Sequence, residues 1–298
     1  MIALLLALIA GRMTPDTLPS TWTPHRVYDA HHKRFSDFES LAAAAARADI
    51  VFLGEQHDDP GTHRMELALL EAVARRRPQV ILSLEMFERD VQPALDQYLS
   101  GAMSEAAFLR VSRPWPNYAS DYRPLVEFAR AHGWHIVAAD IPRRMASGVA
   151  TGGLESITTL HDSTRMWAAA DFSCNPDGDY FKRFTAAMGG HPMGNGAMPT
   201  LDNMYRAQCV KDETMAESIA RASRDGHGAL VIQYNGDFHS DFGEGTVART
   251  RRRLPRADIV VISAVPVPSL DSIRPTAWRK QADWILFTLQ TAVARQQP

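Results

Sequence analysis

Glu55 and His57, in the stretch Leu53-Gly54-Glu55-Gln56-His57-Asp58-Asp59-Pro60, stand where an apolar run stops and helix-starting residues begin. Glu85 follows a second apolar run, Asp140 a third, and Asp237 with His239 a fourth. Carboxylates and imidazoles gathered in one place have two chemical uses. They hold a divalent metal that activates water, with Glu55, His57 and His239 as ligands. Or they work without metal as acid and base, through Glu55, His57, Glu85 and His239. The residue types leave both uses open. The chain has no nucleophile elbow, no phosphate-binding loop, no dinucleotide glycine fingerprint and no zinc helix of the His-Glu-x-x-His type. His63 lies six residues beyond His57, off any shared helix face, and is expected to cap or pack against the first helical turn.

Such residues converge only if the runs before them are strands of one sheet. Ile50 to Leu53 is apolar without alternation, as in a parallel strand covered on both faces. Gln79 to Leu84, Ile136 to Ala139, Ala229 to Tyr234 and Ile259 to Ala264 read the same way. Helical spacing is expected over Phe38 to Arg47, from Met65 onward, over Arg123 to His132, over Leu201 to Ser223, and over Trp278 to Ala294 as a closing amphipathic helix. The reading is an α/β fold: a mainly parallel central sheet flanked by helices, with a helical insert at about 146–223 capping the carboxyl ends of the strands. Ligands of open α/β sheets bind outside those ends, so the acids and imidazoles share one rim. Residues 20–298 make a single domain.

The chain has 298 residues and a formal net charge of -2. With no long basic run, nucleic acid is excluded as a partner. Met1 to Ala10 is apolar but too short to span a bilayer, so residues 1–19 read as a signal-peptide remnant, with a buried N-terminal helix as the other reading. Export to the periplasm or outside the cell follows from the first. No lipoprotein cysteine follows. Cys174 and Cys209 either pair or stay as free buried thiols.

Four ordered blocks carry a resemblance: Leu53-Gly54-Glu55-Gln56-His57-Asp58, Ser83-Leu84-Glu85-Met86-Phe87-Glu88-Arg89, Arg113-Pro114-Trp115-Pro116-Asn117-Tyr118 and Asn235-Gly236-Asp237-Phe238-His239-Ser240-Asp241-Phe242-Gly243. Together they resemble the ChaN-like haem-binding uptake proteins of the Tiki superfamily, from about Tyr28 to about Pro266. The resemblance implies an α/β core whose Gly-Glu-x-His and later histidine blocks form a hydrolase site in relatives such as erythromycin esterases and Tiki proteases. For the ChaN branch it implies an envelope protein of iron acquisition, a homodimer stacking two haems at its interface with tyrosine on the iron, and an outer-membrane haem receptor as partner. Ferric haem takes phenolate or imidazole at iron, cations at its propionates and apolar walls around the macrocycle. In the insert, Tyr180, His191 and Tyr205 are eligible ligands, with Tyr205 and His191 preferred. Arg143 and Arg144 are the cations expected at the propionates.

Overall fold

The computed structural model describes residues 23–188 and 199–290. The apolar leader and His191 lie outside them. The chain runs β1 (His25–Asp29), β2 (Arg34–Ser36), α1 (Phe38–Arg47), β3 (Ile50–Glu55), α2 (Pro60–Ala74), β4 (Val80–Glu88), α3 (Gln92–Leu99), α4 (Glu105–Ser112), α5 (Arg123–Ala131) and β5 (Ile136–Asp140). Then come α6 (Arg143–Gly152), α7 (Glu155–Thr158), α8 (Asp162–Arg165), α9 (Gly178–Met188), α10 (Leu201–Asp225), β6 (Leu230–Gly236), α11 (Gly245–Arg253), β7 (Ile259–Val267) and β8 (Trp284–Leu289).

The strands form one sheet in the order β2-β1-β8-β7-β3-β6-β4-β5. The five expected apolar runs are its parallel centre, with β3 between β7 and β6 in register from Ile50. Every residue of β3 is buried, as two covered faces require. Asp37 accepts from the Ser40 N–H to start α1. Asp59 does the same for Thr62, with Pro60 at the first position of α2. Pro60 therefore fixes where the chain turns from strand to helix just after Glu55 and His57.

Two expectations fail at the sheet edge. Trp284–Leu289, inside the stretch expected to be helical, is a strand that pairs parallel with β7 and antiparallel with β1. Its Trp-Ile-Leu-Phe-Thr-Leu sequence is rich in β-formers, and two waiting neighbours override the helical spacing. Ser20 to Asp37, whose Thr, Pro and His content reads as an irregular lead-in to the first helix, likewise contains the antiparallel pair β1 and β2.

The insert also divides differently from the expected block. Its own apolar core joins α6, α9 and the first half of α10 through Met145, Val149, Phe184, Tyr205 and Val210. In the second half of α10, Ile219 and Ala222 pack on the sheet with Ile81 and Val231. Cys174 and Cys209 are joined by a disulfide across this insert. The buried Arg89 guanidinium ties it to the sheet, donating to Ser218 Oγ at 2.9 Å, Ala168 O at 3.2 Å and Thr214 O at 2.7 Å. Among the described residues no helix is long and apolar enough to cross a membrane.

Candidate functional site at the carboxyl rim of the sheet

The rim brings together the acids and imidazoles expected there, in two halves on either side of the end of β6. In the first half Glu55 is buried, and its Oε1 lies 2.7 Å from His57 Nδ1 and accepts from the Tyr122 hydroxyl at 2.6 Å. Tyr122 reaches it from a single π turn over Tyr118–Tyr122, a local widening often found at functional sites. The stiff segment before that turn is a wall of the rim. Trp115 meets the His57 ring edge-on at 4.8 Å, and Asn117 Nδ2 donates to His57 O at 2.9 Å. His63 and Glu66 project from α2 toward Glu55, with His63 Nδ1 2.8 Å from Glu66 Oε2. Burial, reinforced by the charge of Glu66, pushes the Glu55 carboxyl up to about 8. Burial likewise raises Glu66 to about 7.

The second half has the opposite charge state. Glu85 sits within β4 at an irregularity between Leu84 and Glu88, not at the strand's end as the sequence suggested. Such a bulge re-aims a side chain. Glu85 Oε1 lies 3.0 Å from Lys211 Nζ and 3.3 Å from His239 Nε2. His239 Nδ1 faces Asp212 Oδ1 at 2.7 Å. Asp212 also accepts from the Tyr180 hydroxyl at 2.7 Å and from Thr246 Oγ1 at 2.9 Å. Burial alone would raise Glu85, but His239 and Lys211 overcome it and hold this carboxyl well below its usual range. Burial likewise opposes the charge on His239, yet Glu85 and Asp212 outweigh it and lift the imidazole to about 10. Asp140, at the end of β5, is 3.4 Å from Lys211.

Gly236 joins the halves. Its N–H donates to Glu85 Oε2 at 2.8 Å. On its other side a Cβ would stand 2.7 Å from His57 Nε2, so a larger residue here would push the imidazole away. Asp237, the next residue, accepts from the Gln56 amide. The rim thus carries two buried carboxyls pushed in opposite directions, Glu55 up and Glu85 down, the separation of acid and base that catalytic pairs use. Glu55, His57 and His239, the trio read as metal ligands from the sequence, are divided between the two halves. Among the described residues, the atoms that gather within 4.8 Å of one another belong to Glu55, His63 and Glu66. His63, Glu66, Lys211, Asp212 and Tyr122 were not singled out as site residues by sequence.

The haem candidates lie in the insert. Tyr205 is buried, with ring centroids of Tyr180, Phe181 and Phe184 at 5.9, 4.9 and 5.6 Å. Tyr180 is buried with its hydroxyl on Asp212. Arg143 and Arg144 are exposed at the start of α6, where Arg144 Nη1 pairs with Asp90 Oδ2 at 2.7 Å. The other end of that helix meets Asn203, so the arginines stand about 15 Å from the Tyr205 end of α10, the length of a ten-residue helix. His191 is not among the described residues.

A mainly parallel α/β sheet with a carboxylate and histidine rim under a disulfide-linked helical cover is the class these features define. The chain belongs to the haem-binding uptake family of the Tiki superfamily, the ChaN family, which it matches over residues 41–250. Its fold is similar to that of ChaN of Campylobacter jejuni, described with cofacial haem, at a TM-score of 0.62 and 16% identity over 89% of this chain and 96% of that one. An erythromycin esterase in an open conformation has a TM-score of 0.52 at 13% identity, over 92% of this chain and 100% of that one. In sequence, the chain is 25% identical over 234 residues to the chloroplastic Reticulata-related protein 5 of Arabidopsis thaliana, covering 74% of this chain and 31% of that protein. It therefore spans about a third of that relative's length.

Proposed function

We propose that this chain binds ferric haem at its helical insert and serves haem uptake in the cell envelope, as a homodimer that hands haem on from an outer-membrane receptor. The observation that carries the reading is the family match, which runs through the whole insert. The chain's own residues narrow the choice of iron ligand. All seven tyrosines are buried, none more than 8% exposed. Ligation by Tyr205 requires the phenol to leave its aromatic packing, and ligation by Tyr180 costs the bond to Asp212. This supports His191 as the ligand, in the stretch that joins α9 to α10. Met188, Leu201 and Met204, half-buried at the facing ends of those helices, supply apolar wall.

Hemin titration of the full chain tests this. A saturable Soret change is expected, weakened at least about tenfold by His191→Ala and left in place by Tyr205→Phe. A titration without saturation removes the reading.

The line from Glu85 through His239 to Asp212 favours a second reading, an acid/base hydrolase at the rim. Under it Glu85→Gln abolishes ester hydrolysis by the chain, while His191→Ala leaves hydrolysis intact. Under the haem reading alone, Glu85→Gln leaves the hemin titration as in the unaltered chain.

A further inference from the structure

His63 belongs to neither reading, and its surroundings are unusual for a buried imidazole. Its Nε2 points at the His57 carbonyl oxygen, 3.1 Å away. A carbonyl accepts only, so this bond places a proton on Nε2, and in the neutral ring it leaves the Nδ1 lone pair turned inward. Facing that lone pair are two carboxylate oxygens, Glu66 Oε2 at 2.8 Å and Glu55 Oε2 at 3.7 Å. With the ring neutral and both acids ionised, three electron pairs converge there, and a cation or a shared proton must sit between them. Glu55 and Glu66 are 1% and 0% exposed, and Glu55 Oε2 and Glu66 Oε1 have no hydrogen-bond partner among the described residues. Buried acceptors left like this are rare and costly.

We propose that Glu55, His63 and Glu66 form a binding site for one divalent transition-metal cation of the zinc kind. Zinc bonds of about 2.0–2.1 Å in tetrahedral geometry put ligand atoms about 3.3 Å apart, between the two distances seen. Two of the three ligands are also braced from behind as metal ligands are. His63 donates to a backbone carbonyl, and Glu55 spends its other oxygen on Tyr122 and His57. One imidazole with two carboxylates suits zinc or manganese, whereas an all-oxygen set would suit calcium. A cleft of about 290 Å³ lined by His63, Leu67, Asp121 and Pro124 brings solvent to one of the three ligands. Asp121 Oδ2, 3.6 Å from His63 Nε2, places a further negative charge at its inner end.

The test uses the full chain stripped with dipicolinate and titrated with Co2+, without haem, so its outcome is independent of the haem reading. One equivalent with visible d–d absorption is expected, displaced by Zn2+. Glu66→Gln, which keeps the shape of the side chain, should weaken binding at least about 100-fold. Glu85→Gln, across β6, should leave the affinity within about twofold. If Glu66→Gln fails to fold by circular dichroism, Glu66→Asp takes its place: it keeps the charge, withdraws the oxygen by one methylene and should cost at least about tenfold. Absence of saturable Co2+ binding overturns the site and leaves a shared proton as its occupant. Unaltered affinity in the Glu66 variant, or loss in Glu85→Gln instead, also overturns it.

Discussion

Replacing Asp212 by alanine is expected to lower the unfolding free energy by about 4 kcal/mol, the loss typical when one member of a buried charged network is removed. Asp212 has no exposed surface. It is the common acceptor for His239, the Tyr180 hydroxyl and Thr246, and Arg249 Nη1 lies 3.9 Å away. Alanine leaves three buried donors without an acceptor and His239 without its nearest anion, while Arg249 keeps Glu213 at 3.3 Å. Asparagine keeps the shape and one acceptor oxygen, so Asp212→Asn should cost about half as much. Urea denaturation at neutral pH measures both. If Asp212→Ala unfolds at the midpoint of the unaltered chain, the packing of α10 against the rim is not as described.

The stability of the metal-free chain is expected to fall by on the order of 5 kcal/mol as pH rises from about 5 to about 9. Glu55 holds its proton in the folded state to about 8, against an ordinary 4.5. The unfolded chain releases that proton first, so between those values the native state binds more protons and stability falls with increasing pH. Glu66, raised to about 7, acts in the same direction. His239, lifted to about 10 from 6.5, extends the decline into alkali, because its stabilising charge is lost as pH passes its folded value. Glu85 and Asp212, both held low, have the opposite sign and weaken the fold only when acid protonates them. The maximum therefore lies near pH 5. Glu55→Gln should flatten the profile between about 5 and 8 while leaving the alkaline limb. Equilibrium urea melts in EDTA across this range check it, and a profile for the unaltered chain that rises from pH 5 to 8 would refute the assignment of protons at the rim.

The parallel centre of the sheet was legible because strands covered on both faces must be largely apolar, and β3 to β7 each begin with a run of at least three apolar residues. Its edge was not. β1 and β2 are short and partly polar, while β8 repeats its apolar residues at a spacing that also suits a helix. Convergence of Glu55, His57, Glu85 and His239 could be read because each comes at or soon after the end of the apolar run of β3, β4 or β6. Glu66 and Asp212 were missed because they lie inside helices, where a lone acid is by habit assigned to the solvent face. A signal was present nonetheless. Thr62, Glu66, Leu69 and Val73 follow the spacing of the buried stripe of α2, and Tyr205, Cys209, Asp212, Ala216 and Ile219 that of α10. An acid in the middle of such a stripe is placed against the core, and then needs a partner there. Tyr122 gave no comparable hint, since a π turn has no simple sequence signature.

Because β6 runs between β3 and β4, the end of that one strand is the hinge pin of the whole rim. Gly236 touches the imidazole on one flank and holds the carboxylate on the other, so a shift of its backbone by a fraction of an ångström loosens one grip as it tightens the other. Substitutions at His57 and at Glu85 should accordingly fail to add, although the two side chains have no bond to each other.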